Sequence, residues 1–396
     1  MSLLLSPRDL AELVAFRHAL HRAPDLSRHE EATARRVVEA LQPTGPDRVV
    51  TGLGGHGVAA VYQGPVPGPT VMVRCELDGL PIQETSEIPH RSSIPGKGHL
   101  CGHDGHMATL VGLARLLGAD RPRRGRAVLL FQPAEEDGSG AAAVIADPRF
   151  AEIAPDWAFA LHNMPGIPLG AAALAPGPAN CASRGLAISF SGKTSHASQP
   201  EAGISPARAL ARLIPALEQL GPGGETAPGF RLVTITHARM GEPAFGISPG
   251  EAELWVTLRT LADDDMTGLV GDARRLIERE AAAHGLAVSM SEHDVFHACT
   301  NDPQATSYLM EALNAEGIAV VPGHLPMRAS EDFGLFGRQA KSAMFLLGAG
   351  EDHPRLHNPD YDYPDALIGV GVGVLHRALR DVLENASKSP RQRHAR

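Results

Sequence analysis

Aromatic residues are scarce in this chain of 396 residues: Trp, Tyr and Phe together make up 4%. A core must therefore be built mainly from Ala, Val, Leu and Ile. A basic excess is missing too, since 45 acidic residues outnumber 36 Lys and Arg for a formal net charge of -9. That balance argues against a nucleic-acid partner, which needs a dominant basic patch. No run approaches the roughly 20 apolar residues of a membrane helix, so no membrane partner is expected. The opening MSLLLSPRDL has neither a basic segment leading into a long apolar stretch nor a cleavage site, which makes a secreted route unexpected. Cysteine is rare, and Cys75, Cys101, Cys181 and Cys299 are scattered. That pattern fits reduced cytoplasmic thiols better than a disulfide framework. A basic, polar tail over 387–396 is expected to be disordered.

What is present, 43% hydrophobic and 20% charged residues, is the composition of a soluble globular protein long enough for two cores. The first stretch reads as a helix: Ser6 can cap it, Pro7 suits its first turn, and Leu10, Leu13, Val14 and Phe16 begin an apolar face. A second helix is expected over 30–41. Strand-like runs follow at 56–62 and 70–77, then a helix over 104–117 and a buried strand over 126–132. Strand, helix and buried strand in that order suggest an α/β sheet with helices packed on it.

A different rhythm occupies 183–299. Strands are expected at 186–191, 231–237, 251–260 and 287–291, with helices at 204–220 and 266–284. The order β-α-β-β-α-β is the ferredoxin-like arrangement. The first rhythm then returns, with a helix over 304–316, a strand over 342–347 and a long helix over 363–383. The simplest architecture is a discontinuous catalytic domain, 1–182 and 299–396, into which a smaller domain, 183–298, is inserted.

Chemistry concentrates in Cys101-Gly102-His103-Asp104-Gly105-His106, which packs a thiol, two imidazoles and a carboxylate into six residues. Cys and His are the usual ligands of first-row metals, and the intervening Gly lets both point at one ion. Further ligand types arrive at the ends of other expected strands: Asp78 after 70–77, Glu135 and Glu136 after 126–132, and His162 after 157–161. His357 lies in a loop before the last helix. In an extended segment the adjacent Glu135 and Glu136 diverge, so one can bind metal while the other faces a reacting water. The plainer alternative is a charged turn before Asp137-Gly138.

These motifs resemble the hippurate hydrolase and auxin-conjugate amidohydrolase group of the dinuclear metallo-aminoacylase and carboxypeptidase superfamily. The resemblance runs through His21-Arg22-Ala23-Pro24-Asp25-Leu26, Leu77-Asp78-Gly79-Leu80-Pro81, the Cys101 to His106 run, and Gln132-Pro133-Ala134-Glu135-Glu136. It continues in Leu161-His162-Asn163-Met164-Pro165, Gly192-Lys193-Thr194-Ser195-His196-Ala197, Ser330-Glu331-Asp332-Phe333 and His357-Asn358-Pro359. It implies an α/β, phosphorylase/hydrolase-like zinc-exopeptidase catalytic domain with an inserted ferredoxin-like α+β lid/dimerisation domain. By the same resemblance Cys101, His103, Glu136, His162 and His357 are the ligands of two divalent ions (Mn, Zn or Co). Glu135 is then the general base, Asp78 a carboxylate that orients a ligand, and His196 the oxyanion stabiliser, supplied across a homodimer interface.

Arg259 matches a family arginine that either binds a substrate carboxylate or forms a structural ion pair. The chain departs from the pattern at Asp25, Glu76 and Gly79, and at Gly246, where Asn is usual before a Val-Ile-Pro run. The expected activity is hydrolysis of an N-acyl amino acid to a carboxylate and a free amino acid. The alternatives are a dipeptidase or carboxypeptidase using the same residues, a non-catalytic metal-bound sensor, and Cys101 acting as a nucleophile.

Overall fold

The computed structural model describes residues 4–385, so the tail expected to be disordered lies outside the described residues. The chain forms two compact units. Among the described residues the first takes 4–179, Thr300–Leu325 and 332–385; the second takes Asn180–Cys299 and Pro326–Glu331.

The first unit is built on a seven-stranded mixed sheet. In spatial order its strands are Arg48–Leu53, Gly57–Gln63, Arg126–Gln132, Thr70–Glu76, Trp157–Pro165, Lys341–Gly350 and the short Ala172–Ala173. The four strands from Arg126–Gln132 to Lys341–Gly350 are mutually parallel, and antiparallel strands close both edges. Buried runs such as Val71, Met72 and Val73, or Val128, Leu129 and Leu130, are continuous, as they must be in a sheet covered on both faces. Helices Pro7–His21, Glu31–Leu41, His103–Ala119, Pro303–Ala315 and Leu367–Asn385 supply the remaining core, which is mostly Leu, Val and Ala.

The first helix starts as its sequence suggests. The Ser6 hydroxyl accepts from the Asp9 amide at 3.1 Å, and the Asp9 carboxylate accepts from the Ser6 amide at 3.1 Å. The last helix begins at Leu367 rather than at 363, because Tyr363 is spent in the core: its ring lies so close to Gly105 that a Cβ there would come within 2.3 Å of it. Strand Arg48–Leu53 and helix Gly140–Ala146 are among the elements that escape the sequence pattern: the strand is buried at every third residue rather than every second, and the helix is short and made largely of Ala.

The second unit is a four-stranded antiparallel sheet in the order Arg231–Met240, Glu251–Thr260, Ala182–Ser191, Ala287–Phe296, with helices Ala207–Gln219 and Asp263–Ala283. Numbered along the chain the strand order is 2-3-1-4, the ferredoxin-like arrangement. Strand Glu251–Thr260 alternates cleanly, turning Ala252, Leu254, Val256 and Leu258 inward onto Leu210, Leu213, Leu269 and Ile277. Segment 326–331 belongs here through hydrogen bonds that no periodicity announces. The Cys181 amide donates to the carbonyls of Met327 and Ala329, each at 3.1 Å, and the Arg328 guanidinium reaches the Gly224 carbonyl.

Candidate metal centre

Parallel strands bring all their carboxyl ends to one edge, and there the first unit gathers its polar residues. Asp78 follows Thr70–Glu76, Glu135 and Glu136 follow Arg126–Gln132, and His357 comes after Lys341–Gly350. His162 lies inside Trp157–Pro165 rather than after it. Pairing with Thr70–Glu76 ends at Ala160, while pairing with Lys341–Gly350 continues through His162 and Asn163, so this part of the strand is open on one side. Cys101 and His103 arrive on the turn that starts helix His103–Ala119.

The backbone is forced at three places. Gly102, between the two putting their side chains inward, is left-handed at φ 91°, and a Cβ there would come 2.5 Å from the Asn163 amide oxygen. Ala134 has φ 49° and His357 has φ 67°, a region non-glycine residues rarely enter. The Glu30 carboxylate anchors Ala134 by accepting its amide at 2.7 Å, and the His357 amide donates to the Leu100 carbonyl at 2.8 Å, which sets it beside Cys101.

The ligand atoms of Cys101, His103 and His162 all lie within 4.8 Å of one another, as do those of Cys101, Glu136 and His357, and those of His103, Glu135 and Glu136. Two of these groups share Cys101, so the five residues expected as ligands can serve two neighbouring ions. The imidazoles are prepared for that role. His103 Nδ1 donates to the Asp78 carbonyl at 2.9 Å, and its buried Nε2 has no hydrogen-bond partner. His162 Nδ1 donates to the Asn163 carbonyl at 2.8 Å, which leaves Nε2 facing Cys101 Sγ at 3.5 Å. His357 Nε2 is 3.6 Å from the Glu136 carboxylate. Each ring bonded through Nδ1 turns Nε2 toward the neighbouring ligand atoms, and that nitrogen binds a cation once it carries no proton. A soft thiol, imidazoles and carboxylates together suit manganese, zinc or cobalt.

Charge points the same way. Burial, and then Glu136 and Glu135, push the Cys101 thiol well above its ordinary value. Burial, and then the neighbouring His106, hold His162 neutral down to about 3. Burial opposes charge on His103 too, but Asp78, Glu76 and Glu136 outweigh it and hold that ring at about 10. The carboxylates around His103 therefore favour positive charge at this position.

Asp78 is wholly buried. Its carboxylate accepts from Ser27 Oγ at 2.7 Å and from the Glu136 amide at 3.0 Å, and lies 3.6 Å from His103 Nδ1. It orients His103 chiefly through its backbone carbonyl, while its carboxylate fixes the Glu136 turn. His196 and Arg259 belong to the second unit. His196 sits in a two-stranded ribbon opposite Ile247, and its Nδ1 accepts from the Ser198 amide at 3.1 Å, so its proton is on the exposed Nε2. Gly246 joins the same ribbon through its carbonyl, which accepts the Ala197 amide at 3.0 Å. Arg259 donates to the Arg328 carbonyl at 3.0 Å and to Ser330 Oγ at 2.8 Å. Sequence reasoning passed over Glu30, His106 and Asn163. The signal for His106 was in the motif itself, as the second imidazole of the Cys101 to His106 run.

A parallel-sheet edge carrying thiol, imidazole and paired carboxylates, in a chain that also carries a ferredoxin-like unit, defines a metal-dependent hydrolase. The chain belongs to peptidase family M20/M25/M40, whose pattern matches residues 72–381. It is similar to the hippurate hydrolase of Campylobacter jejuni, at 30% identity over 376 residues covering 93% of this chain and 96% of that one. It is also similar to the N-acetyl-L-cysteine deacetylase of Bacillus subtilis, at 28% identity covering 96% and 90%. Among solved structures it matches a dinuclear metal-binding peptidase of the M20 family from Bacillus subtilis, with TM-score 0.81, 25% identity and coverage of 96% and 99%.

Proposed function

We propose that this protein hydrolyses the amide bond of N-acyl amino acids, releasing a carboxylate and a free amino acid. The observation that carries this reading is the pair of ligand groups sharing Cys101, with Glu135 beside them and within one group with His103 and Glu136. Cys101, His103, Glu136, His162 and His357 would hold two divalent ions, Mn, Zn or Co. When bound, such ions acidify a water and polarise the scissile carbonyl.

The rest is the work of this chain's residues. The Glu135 carboxylate takes the proton of the attacking water and returns it to the leaving amine nitrogen. Asp78 holds the Glu136 amide and, through its carbonyl, the His103 ring, which keeps Nε2 bare. His196 presents an Nε2–H donor, the group required to stabilise a developing oxyanion. In this reading the second unit, roughly 183–298, is the lid and dimerisation domain of a cytoplasmic homodimer, in which each His196 serves the other copy's centre. Arg259, held by segment 326–331, would bind the substrate carboxylate. Among the described residues no helix is long and apolar enough to cross a membrane.

The test is a panel of N-acetyl- and N-benzoyl-amino acids, with dipeptides alongside, offered to chelator-stripped protein before and after adding each metal. Amino-acid release from the acyl substrates only after metal addition is expected. Preference for dipeptides with a free amine would move the reading to a peptidase, and stable metal binding without any turnover would move it to a sensor. Replacing His196 with Ala is expected to lower kcat at unchanged metal content.

A further inference from the structure

We infer that His106, braced by Glu76, is a positioning residue that acts through Asn163 to hold His162 in its ligand geometry; this rests on the reading of His162 as a metal ligand. His106 is 1% exposed, and Glu76 and Asn163 are fully buried, so water is not at hand for their polar atoms and the contacts among them carry weight. His106 Nδ1 lies 2.6 Å from Glu76 Oε2. A carboxylate in this setting accepts, so Nδ1 carries the proton. His106 Nε2 accepts the Asn163 amide at 3.3 Å. Together the two contacts require a ring protonated at Nδ1 alone, with its remaining lone pair spent on Asn163.

Asn163 is the junction. Its amide is held by His106, its carbonyl accepts His162 Nδ1 at 2.8 Å, and its side chain donates to the Tyr361 hydroxyl. The same side chain packs against Gly102, the residue between Cys101 and His103. Glu76 is itself fixed by Arg74, whose guanidinium also donates to the Gln132 side chain at 2.9 Å and pairs with Asp332. A rigid line therefore runs from the sheet interior through Arg74, Glu76, His106 and Asn163 to the ring of His162. This explains why the motif carries a second imidazole that belongs to neither group sharing Cys101.

Two substitutions separate positioning from packing. Asn at 106 keeps a donor near Nδ1 for Glu76 but is too short to accept from Asn163; Gln at 106 places an acceptor near the Nε2 position. Zinc dissociation constants would be measured by chelator competition on full-length protein, with His162→Ala defining which ion depends on His162. His106→Asn is expected to weaken that ion by roughly 10- to 100-fold and leave the other unchanged, and His106→Gln to recover most of the loss. Equal losses in both variants, or none in His106→Asn, would overturn the brace while the ligand reading stands. If His162→Ala retains both ions at native affinity, the ligand reading falls and the brace with it. A measurement needing no variant is nitrogen-15 NMR of histidine-labelled, zinc-loaded native protein. His106 protonated at Nδ1 is the expected result, and protonation at Nε2 overturns the inference.

Discussion

His103 and Asp104 are neighbours in the chain, both wholly buried, yet they open onto two polar clusters that ended up in opposite states. Asp104 faces Arg17 at 3.0 Å and His21 at 2.9 Å. Arg17 also pairs with Asp362 at 2.8 Å and Asp365 at 2.6 Å, and His21 donates from its other nitrogen to Glu84 at 3.3 Å. That cluster supplies its own cations. On the other side His103 has one nitrogen bonded and one bare, among a thiol and carboxylates. Both rings are held near 10: burial opposes charge on each, Asp104 and Glu84 outweigh it at His21, and Asp78 with nearby glutamates does so at His103. The difference is in the second nitrogen. At His21 both nitrogens are spent on carboxylates, whereas His103 Nε2 has no hydrogen-bond partner and is the atom open to an external cation.

Substitutions should divide along that line. The largest effect is expected from Glu135→Gln, which should lower kcat by about 10²- to 10⁴-fold, the usual worth of a general base, at unchanged metal content and unfolding midpoint. Retained turnover would remove Glu135 from the chemistry. Next comes Arg17→Met, which strands Asp104 without its guanidinium. It should cost about 3–5 kcal/mol in urea unfolding while folded protein still binds metal. By contrast His357→Ala, with a half-exposed side chain, should change stability by less than about 1 kcal/mol and weaken metal binding. If stability and metal affinity fall together in both variants, the two clusters are one.

The pH response sharpens the comparison further. His21 is raised from 6.5 to about 10 in the folded state, so its contribution to stability is complete below pH 6.5 and is lost as pH rises through about 10. Urea stability should therefore fall between about pH 6.5 and 10, and His21→Asn should reduce that slope; an unaltered slope would assign the titration elsewhere. The smallest signal concerns protons. Ions binding between pH 7 and 8 should displace those of His103 and Cys101, so calorimetric heats should vary with the ionisation enthalpy of the buffer. Heats independent of buffer would contradict the raised positions of His103 and Cys101.

Much of this was legible in the sequence, and unevenly so. The ligand types stood out because each is chemically rare and follows a turn signal: Pro133 before Glu135, and Gly102 between Cys101 and His103. The ferredoxin-like order was readable because strands such as Glu251–Thr260 alternate with period 2. Strand Arg48–Leu53 was not, since it is buried at every third residue and not with the period 2 of a strand. Nor could the pattern show that Tyr363 packs against Gly105, that segment 326–331 is tied to Cys181, or that Glu30 accepts the Ala134 amide. Those links join residues from 104 to 258 positions apart or depend on backbone groups, and side-chain periodicity carries no information about either.

The central claim is that the cluster built around Cys101 holds two divalent ions. Its most direct test is titration of chelator-stripped protein with cobalt, counting bound ions per chain while following absorption from the thiolate–cobalt bond. The account predicts two ions per chain and a thiolate band that Cys101→Ser abolishes. A single ion, or a thiolate band that survives in Cys101→Ser, would contradict it.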